Sequence, residues 1–244
     1  MKDSLTKAPP EPRPPKRRAM SDKDKQHRRQ AILDAALLAL VDTPFEQLTV
    51  AHLAERLGLA KGTLYLYFST KEALFLEVQQ QQLALWFDEL ESALGSCKSA
   101  DPGQLTELVC GTIFKCPLMP RLLTVLHTVL ERNITAAQAL AFKLFLLERF
   151  NRAAALLEAV LPALGSQPGG RAGQGIKLLL SLHALVVGCW QMTNYSAAVQ
   201  AALATRADLG VFYFSFETVL RDSLRALITG LAAEPAGSDV GAAR

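Results

Sequence analysis

Between Thr49 and Phe68 the order of residues leaves little choice in how the chain can fold. Thr49 is a good helix cap. Val50, Leu53, Ala54 and Leu57 follow it at the i, i+3, i+4, i+7 spacing that lines one face of a two-turn helix. Gly58 then supplies a position that tolerates positive φ, which stops that helix. A second short helix is predicted over about 61–67, with Leu59, Leu64 and Phe68 placed to pack it against the first. Two short helices joined by a tight glycine turn make a helix-turn-helix, in which the first buttresses and the second offers a narrow outer face.

The flanking sequence extends this unit. The spacing predicts a helix over about 22–41, with Ile32, Ala35, Ala36, Leu37 and Ala39 as its apolar residues. Asp42-Thr43-Pro44 ends it, because proline disfavours helix at the residue before it. Phe45 and Leu48 anchor the loop that follows. Ser69-Thr70-Lys71-Glu72 reads as a capping box, with the Ser69 hydroxyl on one backbone N–H and Glu72 reaching back to another. The helix it opens is expected to reach about residue 94, a span of roughly 35–40 Å, with Leu74, Val78, Leu85 and Leu90 among its apolar positions. Beyond Gly95, further helices are expected after Asp101-Pro102, after Pro117 and Pro120, from Thr135 to about 161, and over about 175–192, 196–205 and 211–231.

The fold class expected is therefore all-α, with an N-terminal three-helix helix-turn-helix domain and a larger helical domain behind it. The organisation reads as a disordered, basic, proline-rich arm over 1–21, the first domain over 22–74, the second over 75–232, and a disordered tail over 233–244.

Charge is unevenly spread. Residues 1–72 carry 13 Lys+Arg against 9 Asp+Glu, whereas the remainder carries 13 against 14. A basic first part on a neutral remainder suits a module that meets phosphate followed by one that does not. Cys97, Cys110, Cys116 and Cys189 stand in no metal-ligand or redox spacing, so reduced thiols and a cytoplasmic location are expected. The apolar run 178–192 is short for a membrane span and suits a buried helix. No hydrolase, zinc-protease, P-loop or dinucleotide fingerprint occurs, so no catalytic residue, metal or cofactor is expected and the chain reads as a non-enzyme.

The second short helix puts Lys61, Gly62, Thr63, Leu66 and Tyr67 on its outer face. These residues suit a major groove: glycine allows close approach, and lysine and threonine hydrogen-bond to base edges or phosphate. From Leu48 through Leu74, and above all in the run Lys61-Gly62-Thr63-Leu64-Tyr65-Leu66-Tyr67-Phe68 with Lys71-Glu72-Ala73-Leu74, the sequence resembles the DNA-binding domain of TetR-type repressors. With the preceding helix, the resemblance covers about 22–74. It implies that Thr49, Tyr67 and Lys71 meet phosphates, that Tyr65 either joins them or packs, and that Ala60, Lys61, Gly62, Thr63 and Leu66 face the bases. Leu66 departs from the polar or aromatic residue common at its position; it either meets a thymine methyl or packs within the chain. Ala60 stands where a serine is frequent, which removes one contact.

The resemblance further implies a homodimer, formed through about 175–192 and 211–231, on a palindromic double-stranded operator. It implies a ligand cavity among the C-terminal helices. Trp86, Phe114, His127, Glu131, Phe142, Phe145, His183, Trp190 and Met192 are the candidate lining residues. Their mostly apolar character points to a lipophilic or aromatic effector. A helical ligand carrier that has lost specific DNA binding is the other reading of such a chain.

Overall fold

The first helix, α1 (Asp22–Asp42), turns Ile32, Leu33, Ala36, Ala39 and Leu40 inward and ends two residues before Pro44. This is a computed structural model of the chain, and it describes residues 22–126, 133–165 and 173–233. The arm expected over 1–21, the tail from 234, His127 and Glu131 lie outside those residues.

A short 3-10 turn, Phe45–Gln47, leads to α2 (Val50–Arg56) and α3 (Lys61–Tyr65). Thr49 caps α2 by accepting the His52 N–H at 3.1 Å. Gly58, at φ +62°, is the sole positive-φ residue among those described, and it makes the sharp turn that the sequence required there. α3 is shorter than predicted, because Leu66 and Tyr67 close it as a turn.

The connecting helix α4 (Lys71–Gly95) runs unbroken for 25 residues. Its cap differs from the expected box. Thr70, not Ser69, takes the extended backbone (φ −141°, ψ 164°) and accepts the Ala73 N–H at 3.0 Å. That shift by one residue puts Glu72 at the second helical position, from which it cannot reach back to close a box. α4 buries Ala73, Leu74, Phe75, Leu76, Val78 and Gln79 in near succession, because α1 packs on one side of it and the C-terminal helices on the others. Leu85, expected inside, is exposed.

Around the C-terminal part of α4 stand α5 (Pro102–Phe114), α6 (Met119–Val125), α7 (Ala136–Val160), α8 (Gly175–Thr193) and α10 (Phe216–Ala233). α5 and α7 open with full capping boxes, Asp101 with Gln104 and Thr135 with Gln138, so the two sequence signals placed there do set the helix starts. α7 is braced to α4 by Arg149, a nearly buried guanidinium that donates to Asp88 at 2.6 Å and lies over the Phe87 ring. α8 packs on α6, α7 and α10, and α10 packs on α5 and α8. Between them, α9 (Ala197–Leu203) and a 3-10 stretch, Ala207–Phe212, bury no residue. The last helix was expected from about 211. It begins at Phe216 instead, because Val211, Phe212 and Tyr213 have no core surface to meet and stay exposed. No strand occurs among the described residues. α8 reaches 19 residues, long and apolar enough by composition to cross a membrane, with a third of its apolar window buried within this chain.

Candidate nucleic-acid interface and buried cavity

α3 is held by one buried side chain, Leu64, so the rest of the helix surface is left free. Ala60, Lys61, Gly62, Tyr65 and Leu66 are exposed, while Thr63 and Tyr67 are half-buried. Leu66 is 84% exposed, so packing within the chain is not its role. Gly62 is informative for a different reason. A Cβ built there meets nothing within 4 Å, so nothing inside the chain calls for glycine. A glycine within a helix forgoes about 1 kcal/mol relative to alanine.

An open groove of about 530 Å³ separates α3 from the start of α1; Lys25, Arg28, Thr63, Leu66 and Tyr67 are among its lining residues. Lys25 and Arg28 were missed by the sequence reading. The signal was present: Lys25, Arg28 and Arg29 lie at i, i+3, i+4, one basic face of α1.

Three cations fix the geometry behind this surface. Arg29 donates from Nε to Glu77 Oε1 (2.9 Å) and from Nη1 to the Tyr67 carbonyl (2.9 Å), pairs through Nη2 with Glu77 Oε2, and covers the Phe68 ring. It thereby ties α1, the end of α3 and α4 together. The Lys71 ammonium donates to the carbonyls of Phe45 and Leu48, each at 3.0 Å, and sits 4.0 Å above the Phe45 ring. That ring in turn meets Phe75 edge-on. Lys71, the residue matched to a phosphate contact, is thus also the clamp on the turn before α2. Arg121 of α6 donates from Nη1 to the Leu40 carbonyl and, at 3.4 Å, to that of Val41. The last turn of α1 has no basic residue of its own, so α6 supplies the cation that suits the carbonyl end of that helix.

α4 and α6 also wall a small, mostly apolar cavity. Leu83, Trp86 and Phe87 come from α4, and Met119 and Leu123 from α6, with Leu126 just beyond it. Leu146 and Phe150 of α7 and Leu182, His183 and Val186 of α8 close the far side. The free volume is about 40 Å³. Of the nine residues proposed from the sequence, Trp86 and His183 reach the cavity. Phe114 and Trp190 join Phe216 in a separate aromatic cluster, with centroids 6.2 and 5.6 Å from it. Phe142 and Phe145 stack on one another. Met192 is exposed at the end of α8. Aromatic residues in amphipathic helices mark the core side of each helix, but not which gap between helices they fill. The four cysteines are free, and burial pushes the Cys110 thiol up to about 11.

Two family descriptions match the sequence. Residues 32–78 match the bacterial regulatory proteins of the tetR family, and residues 80–235 match the tetracyclin repressor-like C-terminal domain. The chain belongs to the TetR family. Its TetR-type N-terminal domain makes it a DNA-binding transcriptional regulator. Among curated relatives, the fatty acid metabolism regulator protein of Bacillus subtilis is 29% identical over 69 residues, which span 28% of this chain and 36% of that protein. Two solved TetR-like structures share the fold. The fatty acid degradation regulator FadR of Bacillus halodurans is 18% identical with a TM-score of 0.54, over 83% of this chain and 94% of that one. The FadR of Bacillus subtilis, solved with stearoyl-CoA, is 17% identical with a TM-score of 0.52, over 82% of this chain and 96% of that one.

Proposed function

We propose that this TetR-family regulator is a cytoplasmic repressor that grips a palindromic operator as a homodimer and lets go when a lipophilic or aromatic effector enters the cavity. The observation that carries the reading is that two of the cavity's walls, α4 and α6, are bonded to the DNA-binding domain. α4 is tied to it through Arg29–Glu77 and Lys71, and α6 through Arg121. An object that separates α4 from α6 therefore moves the reading helix.

The size of that movement follows from α4 as a lever. Lys71 and Leu83 are about 18 Å apart along the helix, so a tilt of roughly 5° at the cavity displaces the reading end by about 1.6 Å in each protomer. Half-sites about 34–36 Å apart tolerate little such change when two helices must enter successive grooves. At about 40 Å³ the cavity is much smaller than the roughly 150 Å³ of an apolar cavity that takes up benzene. The effector must open it, and release requires tighter binding to the opened state. The stearoyl-CoA carried by the Bacillus subtilis relative makes an acyl chain the first candidate for the effector's body.

For the dimer, α8 and α10 are the proposed seam. α8 leaves Ile176, Leu180 and Met192 exposed, and α10 presents Ala226, Thr229 and Gly230 outward. Small and apolar residues on neighbouring faces suit close helix packing across a two-fold axis. On DNA, Lys61 and Thr63 read base edges beside Ala60, Gly62 and Leu66. Thr49, Tyr65, Tyr67 and the third N–H of Lys71 hold phosphates. Selection of bound sequences from a random DNA pool tests this. A palindrome is expected, and recovery of nothing above background with the protein folded would favour the ligand-carrier reading.

A further inference from the structure

Four consecutive glutamines, Gln79 to Gln82, lie on α4. Gln79 is fully buried, and neither its Oε1 nor its Nε2 has a hydrogen-bond partner among the described residues. A buried primary amide with both its donor and its acceptor unmet by the side chains and backbone around it is unfavourable, so it calls for a further partner, a water or a ligand. Its position says what. Gln79 stands one turn before Leu83, on the helix face that goes on to Leu83, Trp86 and Phe87, all three of them cavity walls. Gln79 does not line the cavity as it stands; it is the polar group that α4 carries one turn to the DNA-binding side of it, and His183 of α8 is the polar residue of the lining itself. No Lys or Arg lines that cavity.

We propose that Gln79 reads the polar head of the effector, and that this head carries a hydrogen-bond acceptor and donor side by side, as an amide or a neutral carboxylic acid does. This rests on the effector cavity proposed above and narrows its ligand. The reason is complementarity. An amide or un-ionised acid pairs with the Gln79 amide through two antiparallel bonds, its carbonyl accepting from Nε2 and its N–H or O–H donating to Oε1. An ester or thioester only accepts, so Oε1 stays unmet. A carboxylate also only accepts, so Oε1 stays unmet with it too. The apolar body fills the opened cavity, while the head meets α4 on the side nearer the reading helix. Recognition and displacement then fall on the same helix.

Decanamide and methyl decanoate, equal in chain length and different in head, are the probes. Trp86 lines the cavity, so its fluorescence in the full chain with Trp190→Phe reports occupancy. Decanamide is expected to bind at least tenfold more tightly than the ester. In Gln79→Met the two should bind alike, with ester affinity unchanged and a thermal midpoint at or above that of the parent, because an unmet amide has been replaced by a thioether of similar length. Gln79→Leu serves the same purpose if the methionine packs poorly. Equal binding of both probes to the parent would overturn the assignment while leaving the cavity reading intact, as would an amide preference that survives in Gln79→Met. Failure of both probes to bind the parent would remove the lipophilic cavity reading, and this inference with it.

Discussion

Replacing Lys71 with methionine separates two roles that the structure joins in one side chain. The ammonium donates to the Phe45 and Leu48 carbonyls at 3.0 Å each and lies over the Phe45 ring. A hydrogen bond to a charged group contributes about 1.5–3 kcal/mol, but Lys71 is half-buried and water can reach carbonyls exposed by its loss. The lower end of that range applies to each bond. The cation–π contact adds about 0.5 kcal/mol at such a site. Methionine keeps the apolar stem, so the expected loss is about 2–4 kcal/mol by urea titration. A chain of this size should then melt lower by roughly 4–16 °C. DNA binding measured against salt is the second readout. One phosphate contact accounts for a log–log slope of about 0.9, so a dimer that loses two should flatten by about 1.8. A stability change under about 0.5 kcal/mol would refute the clamp. An unchanged slope alongside lost stability would leave Lys71 as a clamp only.

Three further outcomes are expected. Gly62→Ala should stabilise the protein by about 0.5–1 kcal/mol, since a Cβ there meets nothing, while weakening operator binding; a variant that binds DNA as well as its parent would show that the backbone does not approach closely. Arg121→Met should leave operator affinity of the unliganded protein nearly intact and reduce its loss on effector binding, measured as the ratio of operator affinities with and without effector; an unchanged ratio would remove Arg121 from the coupling. The Cys110 thiol, held near 11 by burial, stays protonated in the fold after an unfolded chain has begun to ionise at about 8.5. The unfolded state then binds fewer protons, so this thiol's contribution to stability should be constant at lower pH and fall between roughly pH 9 and 11. In Cys110→Ala that fall should shrink; an unaltered pH profile would mean that another group causes it.

Sequence reading was strongest where the signal is local. The α2–turn–α3 unit, the start of α5 at Asp101 and of α7 at Thr135, and the length of α4 all follow from caps, glycines and apolar spacing within a few residues. It failed where the partner is distant. Arg29 and Glu77 are 48 positions apart, and Arg121 lies 81 from Leu40, so nothing near either arginine marks it as a tie between helices. Gln79 is one of four consecutive glutamines, and only packing by several helices singles it out from its neighbours. The 211–215 stretch, expected to open the last helix, is an exposed connection instead. Aromatic residues predicted for the cavity are mostly core or surface, because a helix face can be inferred from period whereas the gap it borders cannot.

The continuity of α4 bears on how this protein can be taken apart. A boundary drawn from the sequence at 74/75 falls four residues into a helix whose first turns belong to one packing unit and whose later turns belong to another. A chimera that swaps reading heads between relatives at that boundary would join two half-helices whose buried faces were fitted to different neighbours. A workable graft must carry the first two turns of α4 together with Arg29 and Glu77, and it must keep an arginine on α6 for the incoming first helix. The part of this molecule that can be exchanged is therefore larger than the part that touches DNA.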